Sequence, residues 1–394
     1  MRVAIFGGSF NPPHRGHLNS ALYASRQLQP DVFLVIPDCR PPHKSLEAGS
    51  PTPEERLELC RRCFSSVPNA EISDIEIRRG GKSYTADTVK ALLQTYPDAE
   101  FFLLLGTDML LDLGRWYQAE FIMQHVTIAP FQRCPEELPY IEAKTEELSR
   151  RFGARSEIIR SEPLPAASTD IRTMLREREG VSLLTEETYA YIVKYRLYGV
   201  KINFSWLREK AYAMLKPRRV AHVQGCEQEA VSLAKRWGAD PDDAAEAAIL
   251  HDCTKKEGLE EQLALCGKYG VIPDDFERTS EKLLHAKTAA ALAREEFGVS
   301  PEVENAIRWH TTGKLEMTLL EKIIYIADYI EPTRSFEGVD ALRKLAYEDL
   351  DRAMLLGLEM SIEDNRRYGN EMHQDSLSAR DWFEKLVSGK EEFE

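Results

Sequence analysis

The sequence has no apolar run near the ~18 residues that a membrane-crossing helix needs. Its longest is Phe101 to Leu105, which argues against an integral membrane protein. The first residues, Met1 to Gly7, run straight into a glycine-rich turn and lack the apolar stretch of a secretory leader. Basic residues are the minority: 51 Lys and Arg against 65 Asp and Glu leave a net charge of −14. A general polyanion binder wants a basic face, so nucleic acid is excluded as the expected partner. Small phosphorylated ligands are not, because local loops can hold them against the overall charge. Cysteine is sparse, with seven residues scattered along the chain. An odd, scattered set does not make a disulfide framework, and the expected location is a reducing cytoplasm. Cys60 and Cys63 form a lone CxxC with no second pair to complete a zinc site, so they read as structural thiols. There is no internal repeat and no low-complexity tract.

The organisation lies in the periodicity. The first two hundred residues alternate short apolar runs with amphipathic segments. The runs predict strands at Val3–Phe6, Val32–Ile36, Ile72–Ile77, Phe101–Leu105, Val126–Ala129 and Glu157–Ile159. Helical patterns fall between them, among them Gly16–Leu28, Pro53–Ser65, Thr85–Tyr96 and Leu138–Phe152. Apolar strands alternating with helices predict an α/β doubly wound parallel sheet covered on both faces. Beyond about Leu197 the strand signals stop. Asp240-Pro241-Asp242-Asp243 and Ser300-Pro301-Glu302 each place a cap, a proline and acids at a helix start, and Gly238 and Gly298 sit where C-caps are expected. Charge shifts at the same place. Residues 1–200 carry 24 basic and 27 acidic residues (−3), and residues 201–394 carry 27 and 38 (−11). We therefore expect an α/β domain over 1–199 and an all-α domain over 205–394, joined near Tyr198–Ser205.

Gly7-Gly8-Ser9-Phe10-Asn11-Pro12-Pro13-His14-Arg15-Gly16-His17 follows the first strand and opens the first helix. Its glycines admit close approach of a phosphate, and the amides of a helix start offer donors to negative charge. His14 and His17, three apart, project to that same end and suit a polyphosphate whose charge grows in a transition state. Neither GxxxxGK[ST] nor GxGxxG is present, so this is not a Walker loop or a dinucleotide fingerprint.

These residues resemble the HxGH nucleotidyltransferases, and among them the bacterial nicotinate-mononucleotide adenylyltransferases, over roughly Met1–Gly199. His14-Arg15-Gly16-His17 is similar to the phosphate-binding signature and Arg40-Pro41-Pro42-His43-Lys44 to the PPHK loop. Ser83 to Thr88 resembles the SYTxDT segment, Gly106-Thr107-Asp108 the GxD turn, and Trp116-Tyr117 the aromatic pair that meets a pyridine ring. Ser168-Thr169-Asp170-Ile171-Arg172 resembles the end of the ISSTxIR motif, although Ala166 and Ala167 replace its Ile and first Ser, removing one phosphate-facing hydroxyl. The resemblance implies ATP bound by Gly7, Gly8, Ser9, Phe10, His14, His17, Gly106, Asp108, Ser168, Thr169 and Arg172. It implies nicotinate mononucleotide held by Asn11, Lys44, Thr85, Trp116 and Tyr117. Catalysis would be one in-line displacement at the α-phosphorus, with charge neutralised by His14, His17, Lys44, Arg172 and Mg²⁺. Pantetheine-phosphate and cytidylyl transfer use related signatures, but Trp116-Tyr117 and Ser83–Thr88 argue against both.

The second half holds five of the nine histidines. Four fall in order with two aspartates: His222, His251-Asp252, His285, His310 and Asp328. Imidazole and carboxylate make the ligand set of a hydrolytic metal centre, and six exceed the need of one tetrahedral ion. A shared Asp252 would bridge two ions, the arrangement that clamps a phosphate and activates a hydroxide. The order H…HD…H…H…D resembles the HD-domain phosphohydrolases, specifically the bacterial subgroup that hydrolyses diadenosine tetraphosphate symmetrically, over about Leu207–Leu386. Ile326-Ala327-Asp328-Tyr329-Ile330-Glu331-Pro332-Thr333-Arg334, close to ADYIEPxR, is the most specific carrier. The resemblance implies one metal on His222, His251, Asp252 and Asp328, and a second on His285 and His310, with Asp252 shared and catalytic. It implies transition-metal ions, iron in that subgroup, and Lys255 and Arg334 as a phosphate clamp. His373 is either structural or beside the substrate. A nucleotide-sensing module, or hydrolysis of another phosphorylated nucleotide, is the alternative for this half. The expected partners are small nucleotides (ATP, nicotinate mononucleotide, diadenosine tetraphosphate), with no nucleic acid and no membrane; a homo-oligomer is allowed.

Overall fold

Strands apolar along their whole length must be covered on both faces, and the first half of the chain is built around that requirement. The computed structural model describes residues 1–42 and 46–391. It divides into two compact units, Met1–Ile202 and Asn203–Glu394. In the first, the strands are β1 (Arg2–Gly8), β2 (Val32–Pro37), β3 (Ala70–Ile72), β4 (Glu100–Gly106), β5 (Val126–Phe131) and β6 (Arg155–Ser156). Among them run helices α1 (Arg15–Leu28), α2 (Pro53–Cys63), α3 (Ile75–Arg79), α4 (Thr85–Thr95), α5 (Thr107–Asp112), α6 (Ala119–His125), α7 (Leu138–Phe152), α8 (Ser168–Arg176) and α9 (Glu186–Lys194).

The strands form one parallel sheet in the order β3-β2-β1-β4-β5-β6. Every residue of β2 and β5 is buried. Side chains alternate between two cores. Val3, Ile5, Leu34, Ile36, Phe101 and Leu103 pack with Val89 and Leu92 of α4 and Ile122 of α6 on one face. Ala4, Phe6, Phe33, Val35, Phe102 and Leu104 meet Ala21, Ala24 and Leu28 of α1 on the other. Cys60 and Cys63 of α2 lie buried in that second core as free thiols. The chain reverses direction of travel across the sheet between β1 and β4, so their carboxyl ends open a crevice where ligands of such sheets sit.

Two strand expectations need correction. The run Ile72–Ile77 is not one strand: β3 ends at Ile72, Ser73 N–H makes the last bond to Val35, and Asp74 then starts α3. Arg78 N–H bonds Asp74 O and its guanidinium bonds the Asp74 carboxylate one turn back, so Ile75 and Ile77, although spaced like strand residues, lie in a helical turn. Glu157–Ile159 likewise falls outside β6. Glu157 N–H and Ile159 N–H still bond β5 carbonyls, but only as a loop running on from the ladder.

One buried ion pair fixes the mouth of this crevice. Arg56 of α2 is fully buried. It donates to Ser9 O (2.7 Å), Asp38 Oδ1 (3.1 Å), Asp38 O (2.7 Å) and Cys39 O (3.2 Å). Ser9 Oγ donates to the other Asp38 oxygen at 2.7 Å. The loops leaving β1 and β2 are thus tied to one guanidinium.

The second unit is helical: α10 (Phe204–Ala213), α11 (Val220–Trp237), α12 (Pro241–Leu250), α13 (Leu259–Tyr269), α14 (Glu281–Phe297), α15 (Pro301–Trp309), α16 (Leu319–Ile330), α17 (Val339–Glu348), α18 (Leu350–Arg367) and α19 (Gln374–Glu391). Helix α12 is its centre, buried without interruption from Ala244 to Leu250 and packed against α11, α15 and α16. Its alanines keep those neighbours close, and Glu246 is the one charged residue in the buried stretch. No helix among the described residues is long and apolar enough to cross a membrane.

Arg56→Met should cost about 3–5 kcal/mol, because it strands the buried Asp38 charge and three carbonyls together. Denaturant unfolding of the first unit's transition checks this. A loss below about 1 kcal/mol would mean that water replaces the guanidinium.

Candidate functional site

A cavity of about 710 Å³ opens at the carboxyl ends of β1 and β4. Its wall takes Gly7 to Asn11, His14 and His17 from the first loop and helix. Thr85, Gly106, Asp108, Trp116 and Tyr117 come from the α4 and β4 side, and Ser168, Thr169 and Arg172 from α8. A Cβ on Gly7 would meet nothing nearer than Ile36 O at 3.9 Å, so the backbone there is open to a ligand. Phe10 is different: its ring is core, edge-on to Phe6 and Phe64. Lys44 lies outside the described residues.

Several groups in the cavity already have protein partners. Ser168 Oγ donates to Pro12 O at 2.8 Å. Ala167, at the cap position of α8, supplies no side-chain cap, so the first amides of that helix face the cavity without a hydroxyl from position 167. Asp108 pairs with Arg133 at 2.9 Å, and Tyr117 packs on Tyr84 with ring centroids 5.0 Å apart. Arg172 is gripped from both sides: it donates to Asn11 O at 2.8 Å and forks onto Glu47 at 2.6 and 3.3 Å. That fork holds the Glu47 carboxyl below its ordinary range. The sequence reading missed Asp38, Arg56, Arg133 and Glu47. Asp38, a charge at the end of a fully buried strand, was the one visible signal among them; Arg56 sits in a helix that reads as charged surface.

His14 caps α1. Its Nδ1 accepts from His17 N–H at 3.3 Å, and the two rings stack at 3.7 Å. With Nδ1 an acceptor, the proton of the neutral ring is on Nε2. Burial, helped by Arg133, lowers the His14 pKa from 6.5 to about 4. The ring therefore works as a neutral N–H donor at neutral pH. The unfolded chain takes up this proton first, so the stability it contributes is complete above pH 6.5 and is lost as pH falls toward 4. The scale is about 3 kcal/mol. His14→Gln should flatten the drop in thermal stability of the first unit between pH 7.5 and 4.5. An equal drop in wild type and variant would place the acid sensitivity elsewhere.

In the second unit, five helices bring the six residues to one centre. His222 is in the first turn of α11, His251 and Asp252 follow α12, His285 is on α14, His310 ends α15, and Asp328 is on α16. Asp252 is wholly buried and its two oxygens face different sets. Oδ2 lies 3.4 Å from His251 Nε2 and 3.8 Å from His222 Nε2, which in turn is 2.9 Å from Asp328 Oδ1. Oδ1 lies 3.2 Å from His285 Nε2 and 3.8 Å from His310 Nε2.

For three of the four imidazoles the outer nitrogen explains why Nε2 points inward; His285 Nδ1 makes no hydrogen bond among the described residues. His251 Nδ1 bonds Ala248 O at 2.7 Å and His310 Nδ1 bonds Ile307 O at 2.6 Å. Carbonyls only accept, so these Nδ1 atoms carry the protons and leave lone pairs on Nε2. His222 Nδ1 meets Glu331 Oε1 at 2.9 Å. Glu331 is itself buried, held by Thr333 N–H and Oγ–H. A Cβ on Gly225 would come 2.5 Å from its other oxygen, so α11 needs glycine there for the carboxylate to reach His222. Neither Glu331 nor Gly225 was singled out from sequence.

Electrostatics and geometry agree on what the centre is short of. Burial pushes Asp252 and Asp328 toward protonation, yet the adjoining imidazoles hold both well below the carboxylate range. Burial also keeps His285 and His310 below their ordinary value; it presses His251 down as well, but Asp252, Asp328 and the Ala248 carbonyl together outweigh it and raise His251. His285 and His310 face each other Nε2 to Nε2 at 3.1 Å. The buried Nε2 atoms of His222 and His251 and Oδ1 of Asp252 make no hydrogen bond among the described residues. Converging lone pairs of this kind call for cations, and the donor set fits divalent metal. Nearby cations lean in: Lys255 to Asp252 at 3.1 Å, Arg334 to Asp328 at 2.8 Å, and Arg219 to Asp252 at 2.5 Å. His373 belongs to another group, bonded to Asp274 at 2.8 Å with Glu277 alongside.

Comparison with known proteins separates the two halves in the same way. Residues 5–173 match the Cytidylyltransferase-like family and residues 219–333 the HD domain family. A probable nicotinate-nucleotide adenylyltransferase of Gemmatimonas aurantiaca is 34% identical over 202 residues, covering 50% of this chain and 92% of the relative. A symmetrical bis(5'-nucleosyl)-tetraphosphatase of Bacillus subtilis is 38% identical over 187 residues, covering 46% of this chain and 98% of the relative. A crystal structure described as a predicted HD superfamily hydrolase involved in NAD metabolism, from Clostridium acetobutylicum, is 37% identical. It covers 46% of this chain and 97% of its own, with a TM-score of 0.45. Through its first half the chain thus belongs to the nicotinate-nucleotide adenylyltransferase family, and through its second to the HD-domain family that includes the symmetrical bis(5'-nucleosyl)-tetraphosphatases.

Proposed function

We propose that the chain is a bifunctional enzyme of a reducing cytoplasm. Its first unit joins AMP from ATP to nicotinate mononucleotide, giving nicotinate adenine dinucleotide and pyrophosphate. Its second cleaves diadenosine tetraphosphate into two ADP at a two-metal centre. The observation that carries the second activity is the division of Asp252's oxygens between two sets of imidazoles.

In the first unit the 5'-phosphate of nicotinate mononucleotide attacks the α-phosphorus of ATP and pyrophosphate leaves in line. His14 gives an Nε2–H without adding a fixed charge, His17 stands beside it, and the amides opening α1 and α8 supply further donors. Arg172, freed from Glu47, and Lys44 take the leaving phosphates. Magnesium arriving with ATP supplies the remaining charge neutralisation. Thr85 and Tyr117 border the place for the pyridine ring, where backbone donors favour a carboxylate over an amide. His17→Ala should lower kcat by about 10²–10³ with the fold retained, since a donor to the growing charge is lost. Unchanged turnover, or turnover of nicotinamide mononucleotide, pantetheine phosphate or CTP in its place, would remove this assignment.

In the second unit, His222, His251, Asp252 and Asp328 would hold one ion and His285 and His310 the other, with Asp252 shared. Two bound transition-metal ions, iron by resemblance, would polarise the phosphate and supply the nucleophile. Glu331 fixes His222 so that only Nε2 faces the centre. Lys255 and Arg334, now on Asp252 and Asp328, are placed to turn onto the phosphate. The test is product analysis after anaerobic purification. Two ADP supports the proposal, AMP plus ATP rejects symmetrical cleavage, and no turnover with metal present rejects the substrate. Asp252→Ala should abolish hydrolysis and bound metal while adenylyl transfer continues; loss of both activities would deny the two units their independence.

A further inference from the structure

Lys216-Pro217-Arg218-Arg219 forms one 3-10 turn, closed by Arg219 N–H on Lys216 O at 2.8 Å, and runs directly into α11 and His222. All three of its cations line a cavity of about 570 Å³ that also takes in His222 and Glu331 of the metal centre. Lys255, Lys256 and Arg334 line the same cavity. The cations differ in how they are engaged. Lys255, Arg334 and Arg219 lie on the centre's carboxylates. Lys216 and Arg218 are exposed, and their side chains make no ion pair or hydrogen bond among the described residues. Arg219 reaches Asp252 through Nε, yet its Nη2 is buried without a hydrogen bond.

The lining reverses the charge of the unit around it: residues 201–394 carry 38 acidic and 27 basic residues, yet this cavity gathers six cations and one acid, Glu331. Two of those cations stand open on one turn, beside Arg219, whose Nη2 reaches no nearer than 3.8 Å to Asp328 Oδ1 and makes no hydrogen bond, and together they point to an anion that the protein itself does not supply. On the hydrolase reading, Lys255 and Arg334 turn from Asp252 and Asp328 to one phosphate at the centre. A further set is useful only to a ligand whose negative charge extends beyond that phosphate. A volume of about 570 Å³ is that of a small-molecule site rather than of a single anion.

We propose that the Lys216–Arg219 turn is an oligophosphate-binding site, which holds the phosphates beyond the cleaved bond and sets a preference for long phosphate chains. The proposal rests on the hydrolase reading of the adjoining centre. Binding comes from charge-assisted hydrogen bonds of the guanidinium and ammonium groups, and is weakened by salt.

The test uses the full metal-loaded chain and the double variant Lys216→Ala/Arg218→Ala, both exposed positions outside the metal set. Calorimetry with inorganic tripolyphosphate should show binding weakened about tenfold or more, while orthophosphate binds as in wild type. The KM for diadenosine tetraphosphate should rise by a similar factor with kcat and metal content retained, and Lys216→Arg with Arg218→Lys should restore it. Equal tripolyphosphate affinity in wild type and double variant, or none in wild type, overturns the proposal. Wild type that binds tripolyphosphate through the turn yet leaves diadenosine tetraphosphate intact supports the turn and overturns the hydrolase substrate instead.

Discussion

A carboxylate with no access to water has to be met by positive charge, and Asp252 is such a group. Almost everything in the second unit follows from where it sits. Alanine-rich α12 carries it to the middle of the helices, and the tight packing of that helix lets α11, α14, α15 and α16 deliver ligands from all sides. Neighbouring imidazoles and cations overcome burial and keep it ionised. Outer hydrogen bonds to Ala248, Ile307 and Glu331 decide which nitrogen of His251, His310 and His222 faces inward. The centre is thereby organised before any ion arrives, and the desolvation cost of its charges is set against the fold rather than against binding.

The first unit handles negative charge differently. Its cavity offers backbone amides, a neutral imidazole and one forked arginine, and its buried carboxylates Asp38 and Glu76 are already engaged by protein donors. Arg56 and Asp38 form the buried ion pair here, and it ties together the loops leaving β1 and β2. In a chain of net charge −14, phosphate recognition is confined to such local devices. Glu47 on Arg172 shows the economy of that arrangement: a carboxylate occupies the fork that a phosphate would take.

The sequence made periodic elements legible and concealed the contacts that orient them. Helix α7 runs Leu138–Phe152, the span its periodicity predicts, because apolar positions and a closing glycine mark both face and end. Strands β2 and β5 were readable as continuous apolar runs. Ile72–Ile77 misled, because its isoleucines alternate as a strand would, yet β3 pairs on one side only and its ladder ends at Ile72, after which the chain turns into helix. The motifs named the loop and helix-start residues of the first cavity but not the charged groups Asp38, Glu47, Glu76 and Arg133 that line it with them. In the second unit, five of the six residues named from sequence fall in groups able to hold a metal, and His285 joins them through Asp252 Oδ1. Residues acting through others left no pattern. Arg56 lies among exposed charges of α2, Glu331 stands within the ADYIEPxR-like stretch but with nothing to show that it holds His222, and the need for glycine at position 225 appears only when α11 and that acid come together.

The central claim, that Asp252 is shared between two ligand sets, is tested most directly by counting metal. Anaerobically purified protein, titrated with ferrous iron and analysed for bound metal, should hold two ions per chain, and His310→Ala should hold one with the His222 set still filled. A single ion in the wild type, unchanged by His310→Ala, would contradict the account.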